Sequence, residues 1–78
     1  MNWTETVLDD LYSGDRIRLT SRCGKTAEGW FVGIDACRYS IVFNAPVPGF
    51  EGKSIGASVT VEVEMKTKQI ARLEREAG

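Results

Sequence analysis

Two short apolar runs, Trp30 to Ile34 and Tyr39 to Phe43, flank a polar interval at Asp35 to Arg38. Both runs are rich in the β-branched and aromatic residues that suit a pleated, half-buried surface, so the stretch 29–45 predicts a β-hairpin with its turn at 35–38. Upstream, Arg16-Ile17-Arg18-Leu19-Thr20 alternates charged and apolar with the period of two that a strand with one wet and one buried face requires. Ile17 and Leu19 are expected inward. Arg16, Arg18 and, further along, Arg22 are expected on the outer face, as a solvated surface or as a phosphate-contacting stripe. From Ser58 the alternation returns, with Val59, Val61, Val63 and Met65 opposite Thr60, Glu62, Glu64 and Lys66, which predicts the longest strand of the chain. Lys66-Thr67-Lys68 reads as a tight basic turn. Ile70, Ala71 and Leu73 form a last short strand, before a polar tail at 74–78.

The first residues carry a different period. Trp3, Val7, Leu8 and Leu11 fall on one face of a helical projection, Asn2 stands where a cap is wanted with Glu5 three residues on, and Ser13-Gly14 supplies a stop. This predicts an amphipathic helix over about 2–13. Gly33, inside an apolar run, suggests a bend or bulge that lets its strand curl, and the Pro- and Gly-rich segment 46–53, which carries Phe50, reads as a loop. One helix and five short strands over about 15–73 predict a mainly β single domain, a strongly bent barrel of SH3-like type.

Size and charge narrow the functional classes. A chain of 78 residues buries only about 60% of its surface on folding, so association with further copies would supplement a thin core. The net charge of -1 gives no global field for a polyanion, and any nucleic-acid contact has to come from a local cluster. No apolar run approaches the roughly 18 residues of a membrane span, and the acidic first residues lack a basic-then-apolar leader, so the cytosol is the expected compartment and no membrane partner is expected. Cys23 and Cys37 belong to opposite ends of one predicted strand, too far apart for a bridge, and free thiols are expected. With two cysteines and no histidine, neither a zinc site of usual composition nor the commonest general base is available, and no cofactor is expected. Gly24-Lys25-Thr26 is not a phosphate-binding loop, because Leu19 stands where that motif needs glycine.

At the level of motifs the chain resembles the Sm and Sm-like family. The residues that carry the resemblance are Leu11 and Gly14, the alternating Arg16 to Leu19, the Gly24-to-Gly29 step, and an apolar run ending at Asp35; Met65 to Ile70 and Leu73 resemble the second motif. The resemblance implies a ring of subunits joined through edge strands and a pocket for single-stranded, often uridine-rich, RNA, built from the two polar turns. Asp35 matches the family's Asp. The family's Asn falls on Tyr39 or Ser40, its Arg on Lys66 and its Gly on Thr67, so three of the four signature polar positions differ. The residues themselves offer a physical case for RNA: Arg38 and Tyr39 present flat surfaces for stacking an unpaired base, and Lys66 and Lys68 suit phosphates. Asp35 either accepts from a base edge or holds the turn by bonding its own backbone, and Tyr39 is either core or ligand.

Two other readings stand beside this one. A small barrel with the same framework but an altered pocket would serve as a protein-binding or inhibitory module, which the acidic positions Glu62 and Glu64 suit. The chain is also similar to the short plasmid-borne dihydrofolate reductases at 14–18 and 73–75. That family's active-site Val-Gln-Ile-Tyr run is here Met65-Lys66-Thr67-Lys68, so no enzyme activity is expected. Cys37 beside Arg38 is either a reactive thiolate or an ordinary half-buried cysteine.

Overall fold

The computed structural model describes residues 2–46 and 60–77. Most of the segment predicted as a loop at 46–53, and the Ser58-Val59 start of the fifth predicted strand, lie outside the described residues. Among the described residues the chain forms six strands: β1 (Asn2–Glu5), β2 (Arg16–Ser21), β3 (Thr26–Asp35), β4 (Ser40–Pro46), β5 (Thr60–Lys66) and β6 (Ile70–Ala77). Two single 3₁₀ turns, Leu8–Asp10 and Thr67–Gln69, complete the regular structure. All strand pairs are antiparallel, in one open sheet ordered β1-β6-β2-β3-β4-β5. No helix among these residues is long and apolar enough to cross a membrane.

Period-two patterning is realised strand by strand. Ile17 and Leu19 of β2 are fully buried, together with Ile41 and Phe43 of β4, and Phe31, Leu73 and Leu11 close the core around them. Burying each such side chain contributes about 1.5–3 kcal/mol, and this one cluster carries most of the apolar stabilisation of the described residues. The β3–β4 hairpin forms as its residues predict, with Asp35 opposite Ser40 and a bulge between Phe31 and Gly33. Gly33 thus flanks an irregularity. The close approach, however, falls at Gly29, where an added Cβ would overlap the Asn44 carbonyl oxygen and press on the Phe43 ring. Three residues join β5 to β6 although β2, β3 and β4 lie between them in the sheet, so the sheet curls back on itself to bring these two strands together.

The N-terminal segment corrects the sequence reading. No helix spans 2–13; Asn2–Glu5 is extended and pairs with the end of β6, Asn2 opposite Ala77 and Glu5 opposite Glu74. The physical reason is competition. An isolated helix of this length is marginal, Thr4, Thr6 and Val7 lower its propensity further, and the edge of β6 offers backbone partners that a helix would leave bare. Leu8 and Leu11 still reach the core, whereas Val7 is 60% exposed. The polar tail is corrected for the same reason: Glu74 to Ala77 are strand, paired throughout with β1 and, at Glu74 and Arg75, also with β2. Within the described residues β3, at 10 residues, is longer than β5, at 7. Arg22 lies in the β2–β3 turn and not on the outer face of β2.

Candidate functional site

The two polar turns singled out in the sequence meet in space. The β3–β4 turn, 36–39, is built by Asp35: its Oδ1 accepts from the backbone N–H of Cys37 at 3.1 Å and of Arg38 at 3.2 Å. This is the turn-holding role of an Asx residue. Tyr39 then takes a left-handed backbone, φ 52°, which swings its ring outward until it is 75% exposed. The second 3₁₀ turn docks against it. Thr67 donates to the Tyr39 carbonyl twice, from its N–H at 2.9 Å and from its hydroxyl at 3.1 Å, and Lys66 Nζ donates to the Arg38 carbonyl at 2.7 Å. Between the turns lies a cavity of about 350 Å³ lined by Arg38, Tyr39, Lys66, Thr67 and Lys68.

Five of the seven residues expected to bind RNA therefore line one cavity, and the other two support it. Ser40 is only 1% exposed, and its hydroxyl donates to the Arg38 carbonyl at 3.1 Å. Asp35 is occupied with its own turn and lies 3.8 Å from the Arg38 guanidinium. Glu64 holds that guanidinium from the other side at 3.0 Å. The cavity thus combines an exposed aromatic ring, an arginine braced by two carboxylates and two lysines, a set suited to stacking a planar group while meeting an anion. Tyr39 is not a core residue.

The β2–β3 turn also reaches this end of the molecule, which the sequence reading missed. Arg22 N–H donates to the Gln69 carbonyl at 2.9 Å, and Arg22 Nε donates to the Lys68 carbonyl at 2.6 Å. Gly24, with φ 92°, closes that turn through a bond from its N–H to the Ser21 carbonyl. Only a chain that places the 67–69 turn across the curl brings 22–25 near it; nothing in the local spacing of Arg22 reports this. Cys23 Sγ lies 3.0 Å from Ser21 Oγ. That hydrogen bond and a weaker one from the Lys25 backbone hold the Cys23 thiol below its ordinary pKa. Cys23 and Cys37 are both free and exposed.

Comparison with family models, curated proteins and solved structures gives no match.

The opposite, outer face of the sheet is organised differently. Arg16 lies over the Trp30 ring at 4.4 Å and pairs with Glu28; Arg18 lies over Trp3 at 4.7 Å and makes a two-pronged contact with Glu74 at 3.0 and 3.2 Å. The hydrogen bond to Arg18 holds the Glu74 carboxyl below its ordinary range, and the same bond raises Arg18. The stripe expected at Arg16 and Arg18 is a set of closed ion pairs on aromatic platforms.

Proposed function

We propose that the protein is an Sm-like single-stranded RNA-binding protein that works as a homo-oligomer. The observation that carries this reading is the cavity between the two polar turns, whose lining joins Tyr39 to Arg38, Lys66 and Lys68. An unpaired base stacks on Tyr39, with Arg38 at its edge, and flanking phosphates meet Lys66 and Lys68. Stacking of this kind contributes about 1–3 kcal/mol per base. A small contribution per subunit becomes useful affinity when several copies present the same cavity to one strand. The strand order β6-β2-β3-β4-β5 and the curl of the sheet are consistent with an Sm-like barrel, with β1 added on the β6 edge in place of the family's helix. Among the described residues, the outer side of β5 and the β1-facing side of Ile70–Arg72 have no strand partner, although β2 pairs the other side of Ile70–Arg72, which suits pairing between copies. The cytosol is the compartment proposed for this activity.

A second reading, a protein-binding module that does not bind RNA, draws on one specific observation. A groove of about 270 Å³ lined by Val7, Leu8, Ile70 and Leu73 runs beside the edge of β6 that β2 leaves open, as a docked peptide strand would require. Native mass spectrometry with and without a uridine-rich oligonucleotide, joined to a titration across a salt series, separates the two. An oligomer that takes up the oligonucleotide with affinity falling steeply with salt is the expected result. A monomer or dimer indifferent to the oligonucleotide at low salt overturns the RNA reading and leaves the protein-binding module.

A further inference from the structure

The described residues hold nine of the ten lysines and arginines. Arg16, Arg18, Arg38, Arg72 and Arg75 each form an ion pair with a carboxylate. Arg22, Lys25, Lys66 and Lys68 form none among the described residues, and all four stand on the turns that meet at Thr67–Gln69. A chain with net charge -1 has ample carboxylate to neutralise its cations, and elsewhere it does so pair by pair. Here it leaves them bare.

We infer that the RNA strand continues beyond the cavity, across the 67–69 turn, and that Arg22 and Lys25 of the β2–β3 turn form a second phosphate-binding site for it. The inference rests on the RNA-binding reading of the cavity. Lys68 joins the two halves: its side chain lines the cavity, and its carbonyl anchors Arg22 Nε at 2.6 Å. That anchor fixes the guanidinium on the flank of the turn while its terminal NH₂ groups have no partner among the described residues, an arrangement that lowers the entropy lost when an oxygen pair of a phosphate arrives. Lys25 is held beside it by reciprocal bonds with Ser21, Ser21 N–H to the Lys25 carbonyl at 2.8 Å and Lys25 N–H to Ser21 Oγ at 3.2 Å. The base is read at the first turn; the second turn contributes charge alone, so it favours length of strand over sequence.

The two free cysteines report the path directly, since Cys37 precedes Arg38 at the cavity and Cys23 lies between Arg22 and Lys25. The unaltered protein is alkylated with a neutral reagent, alone and with oligouridylates of about three and about ten nucleotides, and the rate at each cysteine is followed by mass spectrometry. The short oligonucleotide is expected to slow Cys37 only, and the long one to slow both. In Lys25→Ala the long oligonucleotide loses affinity, with its log–log salt slope shallower by about 0.7, while the short one binds as before. Arg22→Lys keeps the charge but loses the planar fork, and weakens the long oligonucleotide without that change in slope. Protection of Cys37 by the long oligonucleotide with Cys23 at its free rate, or unchanged long-strand binding in both variants, overturns the second site and leaves the cavity reading intact. Failure of either oligonucleotide to bind at all overturns the cavity reading, and the second site with it.

Discussion

The outer face of the sheet and the end capped by the 67–69 turn use the same residue types to opposite ends. On the outer face Arg16 and Arg18 are each pinned between a tryptophan ring and a glutamate, so their charge is consumed within the fold. At the capped end Lys66, Lys68, Arg22 and Lys25 donate, among the described residues, at most to backbone carbonyls, which orients a cation without cancelling it. The count of lysines and arginines thus says little about anion binding; what matters is which of them have carboxylates within reach. Arg38 sits on the boundary, lining the cavity yet braced by Asp35 and Glu64.

Substitutions separate the two regions. The largest effect is expected at Gly29, on which both regions depend because it lets β3 pass close to β4. Gly29→Ala has to displace the Asn44 backbone, and we expect a loss of about 3 kcal/mol, read as a lower urea midpoint. Next is Glu74→Gln, which strands the half-buried Arg18 guanidinium. The urea midpoint at neutral pH falls while oligouridylate affinity holds; a loss of affinity with no loss of stability would reverse the assignment of the two regions.

The same pair fixes a pH dependence. Glu74 is held below its ordinary pKa by Arg18, so its contribution is complete above the ordinary carboxylate range and is lost as pH falls through the lowered value. Chemical denaturation at neutral and at strongly acidic pH should show a smaller acid loss in Glu74→Gln than in the unaltered chain. Trp3→Leu keeps an apolar side chain and removes the ring beneath Arg18, at an expected cost of about 0.5–1 kcal/mol in the same measurement. Smallest in stability is Lys66→Ala, within about 0.5 kcal/mol of the unaltered chain. It should nonetheless weaken oligouridylate binding and flatten the salt slope by about 0.7, and unchanged binding would remove Lys66 from the site.

The parts of this molecule that were legible in its sequence are those whose cause is local. Ile17 and Leu19 alternate with arginines, and both are buried; the apolar runs around Asp35 give the hairpin; Lys66-Thr67-Lys68 gives a tight turn. The N-terminal segment was misread because Trp3, Val7, Leu8 and Leu11 satisfy a helical period, while the decisive influence, the vacant edge of β6, lies some seventy residues away in the sequence. Glu74 to Ala77 looked like a tail for the matching reason, since their strand partners are Asn2 to Glu5 and β2. For the site, motif spacing singled out both corners of the cavity, and the structure joins them through Thr67 and Tyr39. Arg22 was assigned to the outer face by extending the alternation of β2 past its end. The division between neutralised and bare cations has no signature along the chain, because among the described residues every ion pair except Asp35–Arg38 joins residues at least twelve positions apart.

The second 3₁₀ turn is three residues long, and it alone joins β5 to β6 across the mouth of the curled sheet. Its length acts as a clasp that sets how tightly the sheet rolls. Splicing two glycines into it would let the roll slacken and draw Tyr39 and Arg22 apart together, so curvature and charge spacing in this protein are one adjustable quantity.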